Sequence, residues 1–296
     1  MNTSRPRRLF TLVPRELREH RRAFFWTPLV IALLLGTAML PSVLVVDRSS
    51  VFDDTLIEVI EEQAAGEGTK VIARGLNPLL DTLHNALLLV LLIALARYLL
   101  ATLYDDRRDR SILFWRSLPV SEWDTVLSKL GTALIVAPAI LIAISVVLQL
   151  ATLLIAMLVV WRLDMQPLAV LAENLAPGRL LLDRIGAWLL TALWLAPSCA
   201  WLLLSSAAAR RSPFLFAVTP VIAAILLETL FFKTGYILHA VGRHLPHLAA
   251  SDDGVGFYLF GPDWMSVDWT ALLAGLVFAA AAIALAVYLR RYRWEI

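Results

Sequence analysis

The sequence predicts an all-α polytopic membrane protein. It has six transmembrane helices, an interfacial helix at the N-terminus and a cytoplasmic helix between spans two and three. Three observations carry that prediction. The 296 residues are 59% hydrophobic and 17% charged, whereas soluble domains run at about 45–50% apolar and about 25% charged. Several apolar runs reach the roughly 20 residues needed to cross a bilayer core. The arginines also gather on alternate connections, as cytoplasmic loops require.

Residues 1–23 are basic, and Leu9, Leu12, Val13 and Leu17 fall at helical spacing among Arg7, Arg8, Arg15, Arg18 and Arg22. Such a helix lies along the inner membrane interface. The first span, about 24–46, is too long for the apolar part of a signal peptide and is read as retained. The others are expected at about 79–103, 127–160, 185–209, 213–232 and 270–289, which makes 24–296 a single transmembrane domain. The third exceeds one crossing, so it should tilt, bend near Pro138 or protrude. The fourth and fifth are joined by a short basic turn at Arg210 and Arg211. Six spans with cations at both ends place both termini in the cytoplasm.

The segment Tyr104-Asp-Asp-Arg-Arg-Asp-Arg-Ser-Ile-Leu-Phe-Trp-Arg-Ser-Leu-Pro-Val-Ser-Glu-Trp-Asp124 interrupts the apolar pattern. Asp106 and Arg110 stand in the favourable i,i+4 order on a helix, and Pro119 ends that helix. Ser121 and Asp124 resemble a capping box opening the third span, with Asp in place of the usual Glu or Gln. Aromatic and arginine side chains together are enriched where proteins grip one another. The competing reading is a solvated loop with its aromatics in the interface.

From Asp109 to Lys129 the acid-Arg element, the apolar turn, Leu118-Pro-Val-Ser121 and the following Lys129 resemble the ABC-2-type permease family, the membrane subunits of a class of ABC transporters. The basic run Arg15 to Arg22 is similar to that family's elbow helix. The family often has Gly-Thr where this chain has Ser111 and Ile112. The resemblance spans nearly the whole chain. It implies a coupling helix at about 105–117 docked into a separate ABC-type ATPase subunit, with Asp106, Arg107, Asp109, Arg110, Leu113, Phe114 and Trp115 at the contact. It further implies a dimer of permeases, either a homodimer or a pseudo-symmetric heterodimer. It favours export across a bacterial inner membrane, or extraction of a substrate from the membrane; an apolar pathway would suit lipids, peptides or amphipathic drugs, and the sequence does not choose among them.

The sequence has no phosphate-binding G-x-x-x-x-G-K-[ST] loop. No cofactor is expected on this chain, and ATP and magnesium would belong to the partner. The partners expected are that ATPase, a second permease and membrane lipids, but no nucleic acid.

Ionisable groups inside spans are functional hypotheses by default. Glu228 and His84 are the candidates for a substrate pathway. Against that reading, Glu228 could pair with Lys233 near the outer interface, and Asp81 and His84 could simply open the second span. His239, His244, His247, Asp252 and Asp253 raise an external metal site, but their spacing fits no strong motif. The segment 233–269 is expected to be a partly re-entrant cap. Ala271, Gly275 and Ala279 form a small-residue row that permits close helix packing. Cys199 reads as a small core residue.

Two other functions compete with that of a transporter subunit. An ion-coupled secondary transporter would rest on Glu228 alone. An intramembrane enzyme would need a partner for Ser145, Ser205, Ser206 or Cys199, and the sequence offers none obvious.

Overall fold

The computed structural model describes residues 5–45, 68–110, 120–162, 177–244, 247–251, 254–258 and 268–292. Nine α-helices occur among them: α1 (Arg5–Glu19), α2 (Thr27–Val45), α3 (Gly68–Arg108), α4 (Glu122–Gly131), α5 (Ala137–Arg162), α6 (Pro177–Ala208), α7 (Pro213–Leu227), α8 (Tyr236–Arg243) and α9 (Trp269–Tyr292). Three π-helical turns, Arg22–Trp26, Thr132–Val136 and Glu228–Phe232, join or extend them. Six helical runs are long and apolar enough to cross a membrane. The predicted all-α polytopic architecture is therefore the observed one, with one local departure. His247–Ser251 and Gly254–Tyr258 pair as an antiparallel hairpin.

Span four is the post around which the others stand. Its α6 packs against α3, α7 and α9, while α2 packs on α5. Of its apolar stretch 61% is buried, against 11% for span five. Span five therefore hangs on the outside, with Phe214, Ile222, Leu226 and Phe231 exposed. A helix apolar all round suits lipid. The core joins Leu87, Leu91 and Leu99 of α3 to Leu141 of α5, Leu203 of α6 and Ala286 of α9.

The long third span is continuous from Glu122 to Arg162 through the π turn Thr132–Val136. Its cause can be read from the sequence. Pro138 has no N–H and cannot bond the carbonyl four residues back, at Leu134. Trp188 Nε1 of α6 donates to Leu134 O instead, at 2.8 Å, so the freed group is satisfied from a neighbouring span. Ser121 caps the start as predicted, its hydroxyl accepting from Asp124 N–H at 3.1 Å.

At the far end of span five, Lys233 takes a left-handed conformation (φ 53°) and turns the chain back into α8. His244, just after α8, stacks on Trp194 at 4.9 Å between centroids, and its backbone carbonyl accepts from Ser198 Oγ at 2.9 Å. Trp194 lies 14 residues from the end of α6, about 20 Å at 1.5 Å per residue. The imidazole therefore packs against the body of the bundle well away from that end, over Gly275 of α9. A Cβ on Gly275 would fall 2.6 Å from His244 Nε2 and 2.9 Å from Pro197 Cγ.

Replacing Gly275 by Val should thus expel His244 and destabilise the bundle by about 1–3 kcal/mol, the usual cost of overpacking. Gly131→Ala, where nothing lies within 4 Å of the new Cβ, should not destabilise. Thermal unfolding of the two detergent-solubilised variants checks the contrast.

Candidate functional site

The base of the bundle, where α1 meets the start of α4 and the ends of α3 and α9, holds a buried network of charges. Lys129 of α4 is its centre. Its Nζ pairs with Glu16 Oε1 at 3.0 Å, donates to Thr102 Oγ1 at 2.7 Å and lies 3.6 Å from Asp106 Oδ2. Tyr98 OH donates to the other oxygen of Glu16 at 3.0 Å. Arg290 of α9 continues the chain of charges. Its Nη1 pairs with Asp106 Oδ2 at 2.8 Å and its Nε with Glu122. Glu16, Lys129 and Arg290 are each 3% exposed or less.

This arrangement follows from local sequence. On α3, Tyr98, Thr102 and Asp106 recur every fourth residue and so line one face. Glu16 is a carboxylate among the arginines of α1, and apolar Leu12 beside it on the same face is buried. The π turns Arg22–Trp26 and Thr132–Val136 flank the network, bringing Phe24 edge-on to Tyr98 at 5.1 Å and burying Thr132. Buried ions persist only when paired and hydrogen-bonded; each of these is paired, and Arg290 Nη2 alone among their nitrogens is buried without a hydrogen-bond partner.

A second set of bonds ties the same end of α3 to the turn between α6 and α7. Arg107 Nη2 donates to Ser206 O at 2.9 Å and Ala209 O at 2.7 Å, a cation on the last carbonyls of a helix. Ser206 Oγ accepts from Leu103 and Tyr104 N–H, and Tyr104 OH donates to Arg211 O at 2.9 Å.

The predicted partner-binding residues therefore divide. Asp106 and Arg107 turn inward and are occupied by the bundle itself, so they are not placed to grip a partner from outside. Asp109 and Arg110 are exposed, and Arg110 leaves the helix with φ 57°. Residues 105–108 are the last turn of α3, while the remainder of the predicted helix, with Leu113, Phe114 and Trp115, lies outside the described residues. Arg290 holds Asp106 on the departing helix and Glu122 on the returning one. The connection between spans two and three is thus closed at its base by one guanidinium.

The pathway candidates sit elsewhere, each with local partners. Glu228 accepts from Thr234 Oγ1 at 2.7 Å and from the N–H groups of Tyr236 and Ile237 at 2.6 and 2.8 Å. It is a carboxylate at the start of α8, where helix N–H groups and the dipole favour negative charge; its oxygens are taken by that helix start rather than by Lys233. His84 Nδ1 lies 2.9 Å from Ser145 Oγ. This corrects the expectation that Ser145 has no histidine partner. Gln149 Nε2 also lies 3.5 Å from Ser145 Oγ, and the His84–Ser145 contact tethers spans two and three. Among the described residues no group of three metal-ligating side chains occurs; Asp252 and Asp253 lie outside them. Cys199 is buried, as expected of a small core residue.

A multi-pass membrane protein with a charge-latched base is thus what the fold and the site define. Compared with known proteins, the chain matches no family model, no curated protein and no solved structure.

Removing one member of a buried pair strands the other, at a cost of about 3–5 kcal/mol. Lys129→Met should therefore destabilise by about that amount, and adding Glu16→Gln should recover part of the loss. Denaturant unfolding of the single and double variants measures it.

His20 supplies a pH test. Burial pushes its imidazole below the ordinary 6.5, outweighing the carboxylates of Glu16, Glu19 and Asp105, while Lys129 acts in the same sense as burial. The folded value lies below the unfolded one. The neutral ring's contribution is therefore complete above about pH 6.5 and is lost as the pH falls below it. His20→Phe should flatten that acid limb of a stability–pH profile.

Proposed function

We propose that this chain is the membrane-spanning permease subunit of an ATP-driven transporter of the ABC-2 type. In this reading two copies, or one copy and a related permease, form the pathway. The most economical substrate class is an amphipathic or lipid-like molecule, moved by export across a bacterial inner membrane. ATP and magnesium reside on a separate ATPase subunit that grips the connection between spans two and three.

The observation that supports this most directly is the double hold of Arg290 on Asp106 and Glu122. A push on the intervening connection acts on both stems together. Through Lys129 and Glu16 it also acts on the N-terminal helix, and through Arg107 on spans four and five. Such a base converts a force at one loop into movement of several spans, as a coupling site requires. Buried charges joined in this way have discrete arrangements rather than a continuum, which suits a two-state device.

The grip itself is assigned to the exposed Asp109 and Arg110 together with Leu113, Phe114 and Trp115. Asp106 and Arg107 act from behind by fixing the stem. Glu228 and His84 hold the fold on this reading, and the substrate pathway is left to the apolar faces of the spans.

The test is co-purification of the chain with its ATPase. Replacing Phe114 and Trp115 together by Ala should weaken the complex at least tenfold, since interface anchors of this kind cost about 2 kcal/mol or more when truncated. Transport-coupled ATP hydrolysis should fall with it. An unaltered complex with unaltered hydrolysis would reject the docking role.

A further inference from the structure

The turn between spans four and five bears an open groove of about 570 Å³. Its rim is Arg210, Arg211 and Ser212; its wall is Leu215, Phe216 and Pro220, with Thr219 among them. Both arginines and the apolar wall residues are exposed. Among the described residues no carboxylate pairs with either guanidinium. The start of α7 is largely satisfied by Ser212, whose hydroxyl and carbonyl accept from Leu215 and Phe216. What remains available is the pair of cations.

From these observations we infer that the groove binds an anionic phospholipid of the surrounding bilayer. Three features favour that occupant. The groove lies where span five enters the membrane, which begins at Pro213, so its rim stands at headgroup level. Two adjacent arginines suit a phosphate, whose geometry matches the guanidinium fork. The wall below them is apolar and continues along α7 through exposed Ile222 and Leu226, a path for acyl chains. A soluble phosphate would use only the rim, and a neutral lipid only the wall. Basic recesses of this kind between spans are where anionic headgroups settle.

The site is also preformed. Tyr104 holds Arg211 O, and Arg107 holds Ala209 O. The turn is thus fixed from span two before any lipid arrives, which lowers the ordering cost of binding. The inference does not depend on the transport reading.

Native mass spectrometry of the full chain, released from mixed micelles of phosphatidylglycerol and phosphatidylcholine, tests it. The wild-type chain should retain phosphatidylglycerol preferentially, and excess inorganic phosphate should not displace it. R210Q/R211Q should lower that retention roughly tenfold or more, at about fivefold per basic residue near a membrane surface. T219W keeps both charges but fills the groove, and should lower retention comparably. R15Q/R18Q, which removes exposed charge from α1, should have a much smaller effect. Loss in R210Q/R211Q no greater than in R15Q/R18Q would mean general surface attraction only, and full retention by T219W would place the lipid elsewhere; either result overturns the proposal.

Discussion

Burying a charge in this protein is possible only because another charge has been brought to it, and the base of the bundle depends on that constraint. Lys129 has no water to turn to at 3% exposure. Its ammonium must be met by Glu16, Thr102 and Asp106, and those three lie on two other helices. Asp106 in turn needs Arg290, which needs Glu122. Apolar packing between spans is nondirectional and tolerates sliding. The charge chain does not, since a displaced helix strands an ion. The positions of α1, α3, α4 and α9 at this end are therefore fixed by pairing more than by packing.

The opposite end is organised differently. There the chain is turned by Lys233, and the start of α8 is held by the carboxylate of Glu228. His244 then enters the bundle over a residue with no side chain. Contacts here are of shape, between Trp194, Pro197, Gly275 and the imidazole, with hydrogen bonds at the margins. One end of the molecule is specified by electrostatics and the other by fit.

Much of this architecture was legible in the sequence. Length and hydropathy determine where a chain can cross a membrane, so all six spans could be read directly, and so could the Ser121 cap; the π turn Thr132–Val136 before Pro138 could not. The small-residue row at Ala271, Gly275 and Ala279 also pointed to close packing, although not to its occupant. The network was harder to read because its members are 113, 168 and 184 residues apart in the pairs Glu16–Lys129, Glu122–Arg290 and Asp106–Arg290. Each looks locally like an ordinary interfacial charge. A signal was present in Glu16, an acid within a strongly basic helix, and in Lys129, a cation set among apolar residues. The inward contacts of Asp106 and Arg107 are hidden for the same reason: a loop-side charge at the end of a span can point either way, and only the partners on α9 and α6 decide it. Glu228 was recognised as unusual, but its purpose depended on a helix start that follows a left-handed residue.

The hold of Arg290 on Asp106 and Glu122 bears on how the protein is assembled. The residue that closes the connection between spans two and three belongs to span six, which is made after both of them. While the earlier spans enter the membrane, Asp106 has Lys129 as its partner in the network and Glu122 still lacks the guanidinium. The base therefore remains open to rearrangement until span six arrives. Arg290 acts as a late lock, so that the geometry of a loop made early is set only when a much later helix is in place.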